Sequence, residues 1–482
     1  MAFAAYASMA VLSYVQAPAL WRSSADSARA MAMFDALAER IPAMALYRRF
    51  DGNASVLLSH FVPLGLATAI AVLLVAMLRR HRDELDSAIV PLLRRWSLAF
   101  TAVSLFTVPL FTQDFWLSAV WGRMVAAGLN PYHVLFTPEL LAGLPLDHFP
   151  MLMSYGPAWA ILSGAVMAIA GDSTLAAAIL FKLILGIAWY ACVVLVERIT
   201  APQPTLDRCL AVALVGWTPI GLTQTVAEGH NDAAMASLAL LWIWLLLRGR
   251  GTAPLALAAS TLCKYVTGPL FVVDLIVALR VQRLSWRQLL LRFLAPALFS
   301  LAVFAIFYRS PQFFDGTRLI SEWHFLQPRH ALDAFDDLIP YSLYPVELAI
   351  AAAFALLTAI CLVELYRHPG PETTAKAVLA IMSTITFTVI AHLWPWYLVW
   401  TLPLAALVPR WWLSRFVIGV CLLAPFTFAF WWIDALVDYK EWAALALYTG
   451  ALLWTAITRA PGAAAANRHS SDRSAEQSFG HP

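Results

Sequence analysis

The sequence predicts an all-α polytopic membrane protein, a bundle of about 12 to 14 transmembrane helices with no soluble domain. Three observations predict it. Of the 482 residues, 61% are apolar and 13% charged, about half the charged share of an ordinary soluble chain. The apolar residues gather into runs close to the roughly 20 needed to cross a bilayer. The gaps between runs are too short for an independent domain, so residues 1–458 read as one transmembrane domain. Residues 459–482 read as a disordered cytoplasmic tail, polar and poor in core-forming side chains.

The elements follow from the N-terminus. Residues 1–20 carry neither a basic leader nor a small-residue cleavage site, so they read as a retained first helix. Short loops rich in Lys and Arg stay in the cytoplasm, and the clearest holds Arg79, Arg80, Arg82, Arg94 and Arg95. Further basic segments run from Arg198 to Arg208, Arg248 to Arg250, Arg280 to Arg292, Arg367 to Lys376 and Arg410 to Arg415. Placing them all inside gives spans near 3–20, 55–78, 96–113, 174–196, 209–226, 233–247, 293–308, 346–366, 376–393, 397–409, 416–433 and 442–458. Both termini then face the cytoplasm of a multi-pass inner (plasma) membrane protein. Residues 157–170 make only about 21 Å of helix at 1.5 Å per residue. Residues 253–279 form two short halves around Lys264. Both read as re-entrant or broken helices, which membranes tolerate where backbone is buried in protein or lines a cavity.

The formal charge of +3 excludes nucleic acid as a partner class. Cys192, Cys209, Cys263, Cys361 and Cys421 lie within or at the ends of apolar runs with no CxxC pair, which points to neither disulfides nor zinc.

The longest outer loops run from Asp114 to Tyr155 and from Arg309 to Pro345. The first opens as an apolar, aromatic helical stretch from Asp114 through Gly122-Arg123 to Gly128 and the turn Asn130-Pro131-Tyr132. Its Phe115, Trp116 and Trp121 suit a helix lying in the interface plane. Asp114, at the junction with the preceding span, stands where a carboxylate meets both a lipid-borne donor and a water-borne acceptor. Asp is also a favoured N-cap, so spacing alone leaves capping and catalysis both open.

Three separated segments carry a family resemblance. Asp114, Gly122-Arg123, Gly128-Leu-Asn-Pro-Tyr132 and Ser154-Tyr155-Gly-Pro157 with Trp159 resemble the first outer loop of GT-C glycosyltransferases that use polyprenyl-phosphate sugars, above all the bacterial α-mannosyltransferases. Glu228-Gly-His230-Asn231-Asp232 with downstream Lys264, and Trp394-Pro-Trp396-Tyr397-Leu-Val-Trp400, resemble later segments of the same family. The resemblance covers a catalytic core of about 96–409. It implies a GT-C-like fold with an extracytoplasmic first catalytic loop, where Asp114 is the general base. The implied reaction moves a hexose, mannose first, from a polyprenyl monophosphate to a glycan or lipid acceptor with inversion. A sugar hydroxyl needs its proton accepted, and a departing lipid phosphate needs nearby cations or N–H donors. Gln113 precedes Asp114 and no Asp-x-Asp occurs in this loop, which argues against a required metal; no cofactor is implied.

The remaining candidates each carry two readings. Arg123 has either a phosphate or Asp114 as partner. Lys182 reaches the donor or snorkels from about 13 Å inside its helix. His230, Asn231 and Asp232 bind the donor or form a polar turn with Asp232 as N-cap. Lys264, an ionisable group inside the membrane, is a functional hypothesis by default. His392 can donate to phosphate. Tyr132, Tyr155, Trp394, Trp396 and Tyr397 line the substrate cavity, or the tryptophans form an interfacial belt. Asp333, Asp336 and Asp337 read as a solvated loop face. A secondary transporter or lipid flippase is the competing class, but such proteins show internal repeats, and no second copy of the Asp114 or His230 segment is apparent.

Overall fold

Each predicted span is matched by helix in the computed structural model, which describes residues 1–21, 53–141, 144, 146, 151–321, 326–335, 342–432, 436 and 439–459. Asp147, Asp336, Asp337 and the tail from 460 lie outside the described residues. The longer helices are α1 (Ala2–Trp21), α2 (Asn53–Arg80), α3 (Ile89–Ser104), α4 (Asp114–Ala126), α5 (Pro157–Ala170), α6 (Thr174–Ile199), α7 (Thr205–Trp217) and α8 (Asp232–Leu247). They continue as α9 (Ala253–Cys263), α10 (Phe271–Arg280), α11 (Trp286–Phe307), α12 (Tyr344–Arg367), α13 (Pro371–Thr384), α14 (Pro395–Leu407), α15 (Trp412–Leu423) and α16 (Lys440–Ile457).

The chain is an all-α polytopic membrane protein. Among the described residues, five stretches, 60–80, 174–199, 286–307, 344–367 and 412–431, are long and apolar enough to cross a membrane alone. A sixth is bent: α7 meets the helical segment 219–227 at 43°, across Pro219, which cannot donate to the preceding turn. Shorter apolar helices lie at 2–14, 157–170, 232–247, 253–263 and 395–407, of which 232–247, 253–263 and 395–407 are the more deeply buried. α12 is almost wholly exposed along its apolar face, whereas α15 is mostly buried. One side of α12 packs on α13, where Thr358 meets Thr384 at 2.8 Å, and its remaining apolar surface has lipid as its solvent.

Local chemistry sets the boundaries. Ser173 caps α6 by accepting from the Ala176 N–H at 3.2 Å. Ser285 and Gln288 form a reciprocal capping box that starts α11 at Trp286, several residues before the apolar run begins. The first half of the 253–279 segment ends where expected: Lys264 is extended, with φ −155° and ψ 122°, between α9 and a 3-10 turn.

Two expectations are corrected. The span near 96–113 is helical only to Ser104, and residues 105–113 are unwound, because Pro109 removes a donor in mid-run. The aromatic side chains of the helix from Asp114 do not face lipid. Phe115, Trp116 and Trp121 are buried, and α4 packs side by side with α5. A Cβ on Gly122 would stand 2.5 Å from the Ser163 carbonyl, and one on Gly164 would stand 2.5 Å from Val125. Contacts climb together, Ser118 with Trp159 and Gly122 with Ser163, so α4 and α5 run parallel. Both rise from one level, about 21 Å below the turn at Gly171.

Candidate active site

The level from which α4 and α5 rise is where the sequence candidates converge. Asp114 is the first residue of α4, and its carboxylate caps nothing, since Gln113 holds the N-cap position without a side-chain bond. Instead the Tyr155 hydroxyl donates to Asp114 Oδ2 at 2.7 Å. Burial, and then the charges of Asp114 and Asp232, push the Tyr155 phenol well above its usual range, so it stays protonated and donates. Tyr155 is itself fixed by Tyr132, whose hydroxyl donates to the Tyr155 carbonyl at 2.8 Å.

The His230 segment faces this carboxylate. Gly229 has φ +80°, a left-handed conformation that suits glycine, and any Cβ there would overlap the ring of Phe115. That contact sets residues 230–232 against the start of α4. Asp232 opens α8 without capping it. Its Oδ1 accepts from Lys264 Nζ at 2.7 Å and from the Trp400 indole N–H. The Lys264 ammonium also lies 5.3 Å from the Tyr155 ring centre, 4.7 Å from Tyr397 and 4.9 Å from Trp400. Such a cage holds a cation by ring quadrupoles as well as by charge. His392 shares a hydrogen bond with the Tyr397 hydroxyl at 3.0 Å. His230 stands edge-on to Trp396, ring centres 4.0 Å apart, and its electrostatic neighbours are Asp114, Asp232 and Lys264.

Satisfaction of hydrogen bonds separates this cluster from ordinary core. Both ring nitrogens of His230, both amide atoms of Asn231 and Oδ2 of Asp232 are buried without a partner among the described residues. Five such atoms on three consecutive residues are hard to reconcile with a folded interior unless a polar ligand or water completes them. A polar turn with Asp232 as cap, the alternative open from the sequence, leaves them unexplained.

Other candidates go elsewhere. Arg123 donates to the Leu140 carbonyl at 2.8 Å and lines an open groove with Glu139 and Asp172, two and a half helical turns from Asp114. Its carboxylate neighbour is Asp172. Lys182 neither snorkels nor enters the cluster: Nζ donates to the carbonyls of Val226 at 2.9 Å and Ala227 at 2.6 Å. Trp396, Tyr397 and Trp400 are buried and Trp394 stacks on Trp396 at 4.8 Å, so they form an internal platform and not an interfacial belt. Asp333 sits half-buried in a short helix.

Sequence reasoning gave no role to two residues that stand within the family segments it quoted. One is Glu228, whose carboxylate accepts from the backbone N–H groups of Leu110, Phe111 and Thr112. The other is Gly156, whose N–H donates to the Cys263 carbonyl at 3.0 Å, with its α-carbon pressed on the Leu262 carbonyl. The first became visible only once residues 105–113 were seen unwound, since freed N–H groups require acceptors.

Residues 28–283, just over half of the chain, match the family described as alpha-(1->6)-mannopyranosyltransferase, N-terminal domain. The chain is also similar to alpha-(1->6)-mannopyranosyltransferase A of Corynebacterium glutamicum, 23% identical over 193 residues. That alignment takes in 37% of this chain and 36% of the relative, so it spans little more than a third of the relative's length. The family match includes Asp114, Tyr155, His230, Asn231, Asp232 and Lys264, and stops before His392, Trp396 and Tyr397.

Proposed function

This chain belongs to the alpha-(1->6)-mannopyranosyltransferase family, and on that premise we propose that it transfers a hexose, mannose first, from a polyprenyl monophosphate sugar to a glycan or lipid acceptor. The observation that carries the reading is the convergence of a tyrosine-anchored carboxylate with unsatisfied buried polar atoms and a caged ammonium. The acceptor hydroxyl oxygen bonds to the anomeric carbon as its proton passes to Asp114. The bond from that carbon to the phosphate oxygen breaks, and its electron pair leaves with the lipid phosphate. Attack opposite the leaving group inverts the anomeric centre. Tyr155 occupies one oxygen of Asp114 and aims the other at the acceptor. Lys264 supplies the charge that a departing phosphate needs, and His230, Asn231 and Asp232 take the sugar hydroxyls. In this scheme the phosphate is already a stable leaving group, and no metal or cofactor is required. Turnover unaffected by a chelator would accord with this.

Asp114→Asn keeps the side-chain shape and the Tyr155 contact but cannot accept a proton at neutral pH. With purified protein and labelled polyprenyl-phosphate mannose, donor affinity should hold while turnover falls by about 100-fold or more. An Asn variant retaining more than about a tenth of wild-type turnover would remove Asp114 from the role.

The basic loops support an extracytoplasmic site with both termini inside the inner membrane. Cysteines introduced at Gly128 and Ser470 should react with an impermeant thiol reagent from opposite sides of intact cells. Labelling of both from outside would overturn the orientation.

A further inference from the structure

Asp114 and the 230–232 segment are more than a hundred residues apart in the chain, and no side chain of the Asp114–Tyr155 pair bonds directly to that segment among the described residues. What joins them lies one layer behind. The Asp114 arm is approached by the unwound residues 105–113, which have no helix to hold them. Leu110 N–H lies 3.1 and 3.0 Å from the two Glu228 oxygens, and Phe111 N–H lies 2.9 Å from one of them; Thr112 N–H adds a third donor. The 230–232 arm is approached by a π-helical turn, Leu222–Ala227. The carbonyls of Val226 and Ala227, at its end, accept from Lys182. Lys182 and Glu228 are buried and act on each other electrostatically. A buried carboxylate is held by donors and by an opposite charge, or it is not held; here the donors are the backbone that leads into Asp114.

We infer that Glu228 is a positioning residue for Asp114, and that with Lys182 it forms a clasp, each holding backbone, that registers the Asp114 arm against residues 230–232. The inference rests on the reading of Asp114 as base. Glu228 touches no reacting atom. Its carboxylate fixes the backbone two to four residues before Asp114, Lys182 fixes the backbone one and two residues before Glu228, and Gly229 closes the gap onto Phe115. Asp114 therefore stands at a distance from His230 and Asp232 that the clasp sets.

Glu228→Gln tests it, because the amide keeps the size but turns an NH2 toward the Leu110–Thr112 donors. Turnover should fall 10-fold or more while donor affinity changes by less than threefold and the thermal midpoint stays near that of the wild type. Glu228→Asp, which retains acceptor oxygens on a shorter stem, should recover part of the lost turnover. Lys182→Met should lower turnover in the same sense, and combining it with Glu228→Gln should add little, since both open one clasp; it also carries the test if the Gln variant does not insert. Turnover within twofold of wild type in both single variants overturns the inference. So does a parallel loss of turnover, donor affinity and thermal stability, which is what a merely structural role gives. If Asp114→Asn is inactive and Glu228→Gln is not, only the clasp fails; if Asp114→Asn is active, the base assignment fails first.

Discussion

Helix α8 and the broken segment α9–α10 are pinned together twice, and the two pins differ in how completely their carboxylates are satisfied. At the upper level Asp232 meets Lys264 at 2.7 Å; ten residues further along both elements, about 15 Å down, Asp274 meets Arg292 at 2.7 Å and the Trp242 N–H at 2.7 Å. The lower carboxylate has both oxygens engaged, and Arg292 also donates to Gln282 at 3.1 Å. The upper one has an orphaned Oδ2 beside the orphaned Asn231 and His230, and its lysine is partly exposed while Arg292 is not. Arg292 Nη2 and Gln282 Nε2 are also without a partner among the described residues, so closed and open describe the carboxylates alone: Asp274 is engaged on both oxygens and Asp232 on one.

The largest effect expected is at the closed pin. Arg292→Met leaves Asp274 buried and uncompensated, which costs about 3–5 kcal/mol. It should appear as a lowered midpoint in thermal or detergent unfolding, with turnover per folded molecule within about twofold. If stability held and turnover collapsed, the two pins would have exchanged roles.

Lys264→Met attacks the open pin. Turnover should drop by about 100-fold, the scale of losing one charge-stabilising group in a transition state. Donor affinity should weaken with it, because in the proposed reaction the ammonium faces the leaving phosphate. A variant that loses stability as much as Arg292→Met but keeps its donor affinity would make Lys264 a second structural pin.

The smallest effect sharpens the contrast. Asn231→Ala removes two unsatisfied polar atoms from the folded protein, so stability should stay level or rise slightly, while the sugar KM rises about tenfold through the loss of one or two hydrogen bonds. Lowered stability with unchanged KM would mean that Asn231 has an internal partner after all.

Much of the fold was legible because the signals were local. Arginine clusters and apolar run lengths place the helices, and a charged residue between two short apolar halves marks the break at Lys264. The span near 96–113 was overextended because its hydropathy outweighed one proline. In the site, Asp114, His230, Asp232 and Lys264 were nominated by residue type and order, and the structure gathers them. Arg123 was readable as an outlier: nine residues from Asp114 along a helix put it about 13 Å away. Lys182 and Glu228 were not readable in that way, since a lysine satisfied by carbonyls and a glutamate satisfied by amides depend on which distant backbone comes to rest beside them. Nothing in the local pattern distinguishes a clasp from a ligand.

The junction at Gly156 bears on how the rate responds to temperature. Tyr155 and Lys264 each lie one residue from the bond between the Gly156 N–H and the Cys263 carbonyl, so this backbone contact, with the Tyr132 and Asp232 bonds, brings the phenol that steadies Asp114 and the neighbouring ammonium together during folding. Their relative placement is complete before substrate arrives. Little ordering of the protein is then left for the chemical step, and its activation barrier should be mainly enthalpic, with an activation entropy close to zero.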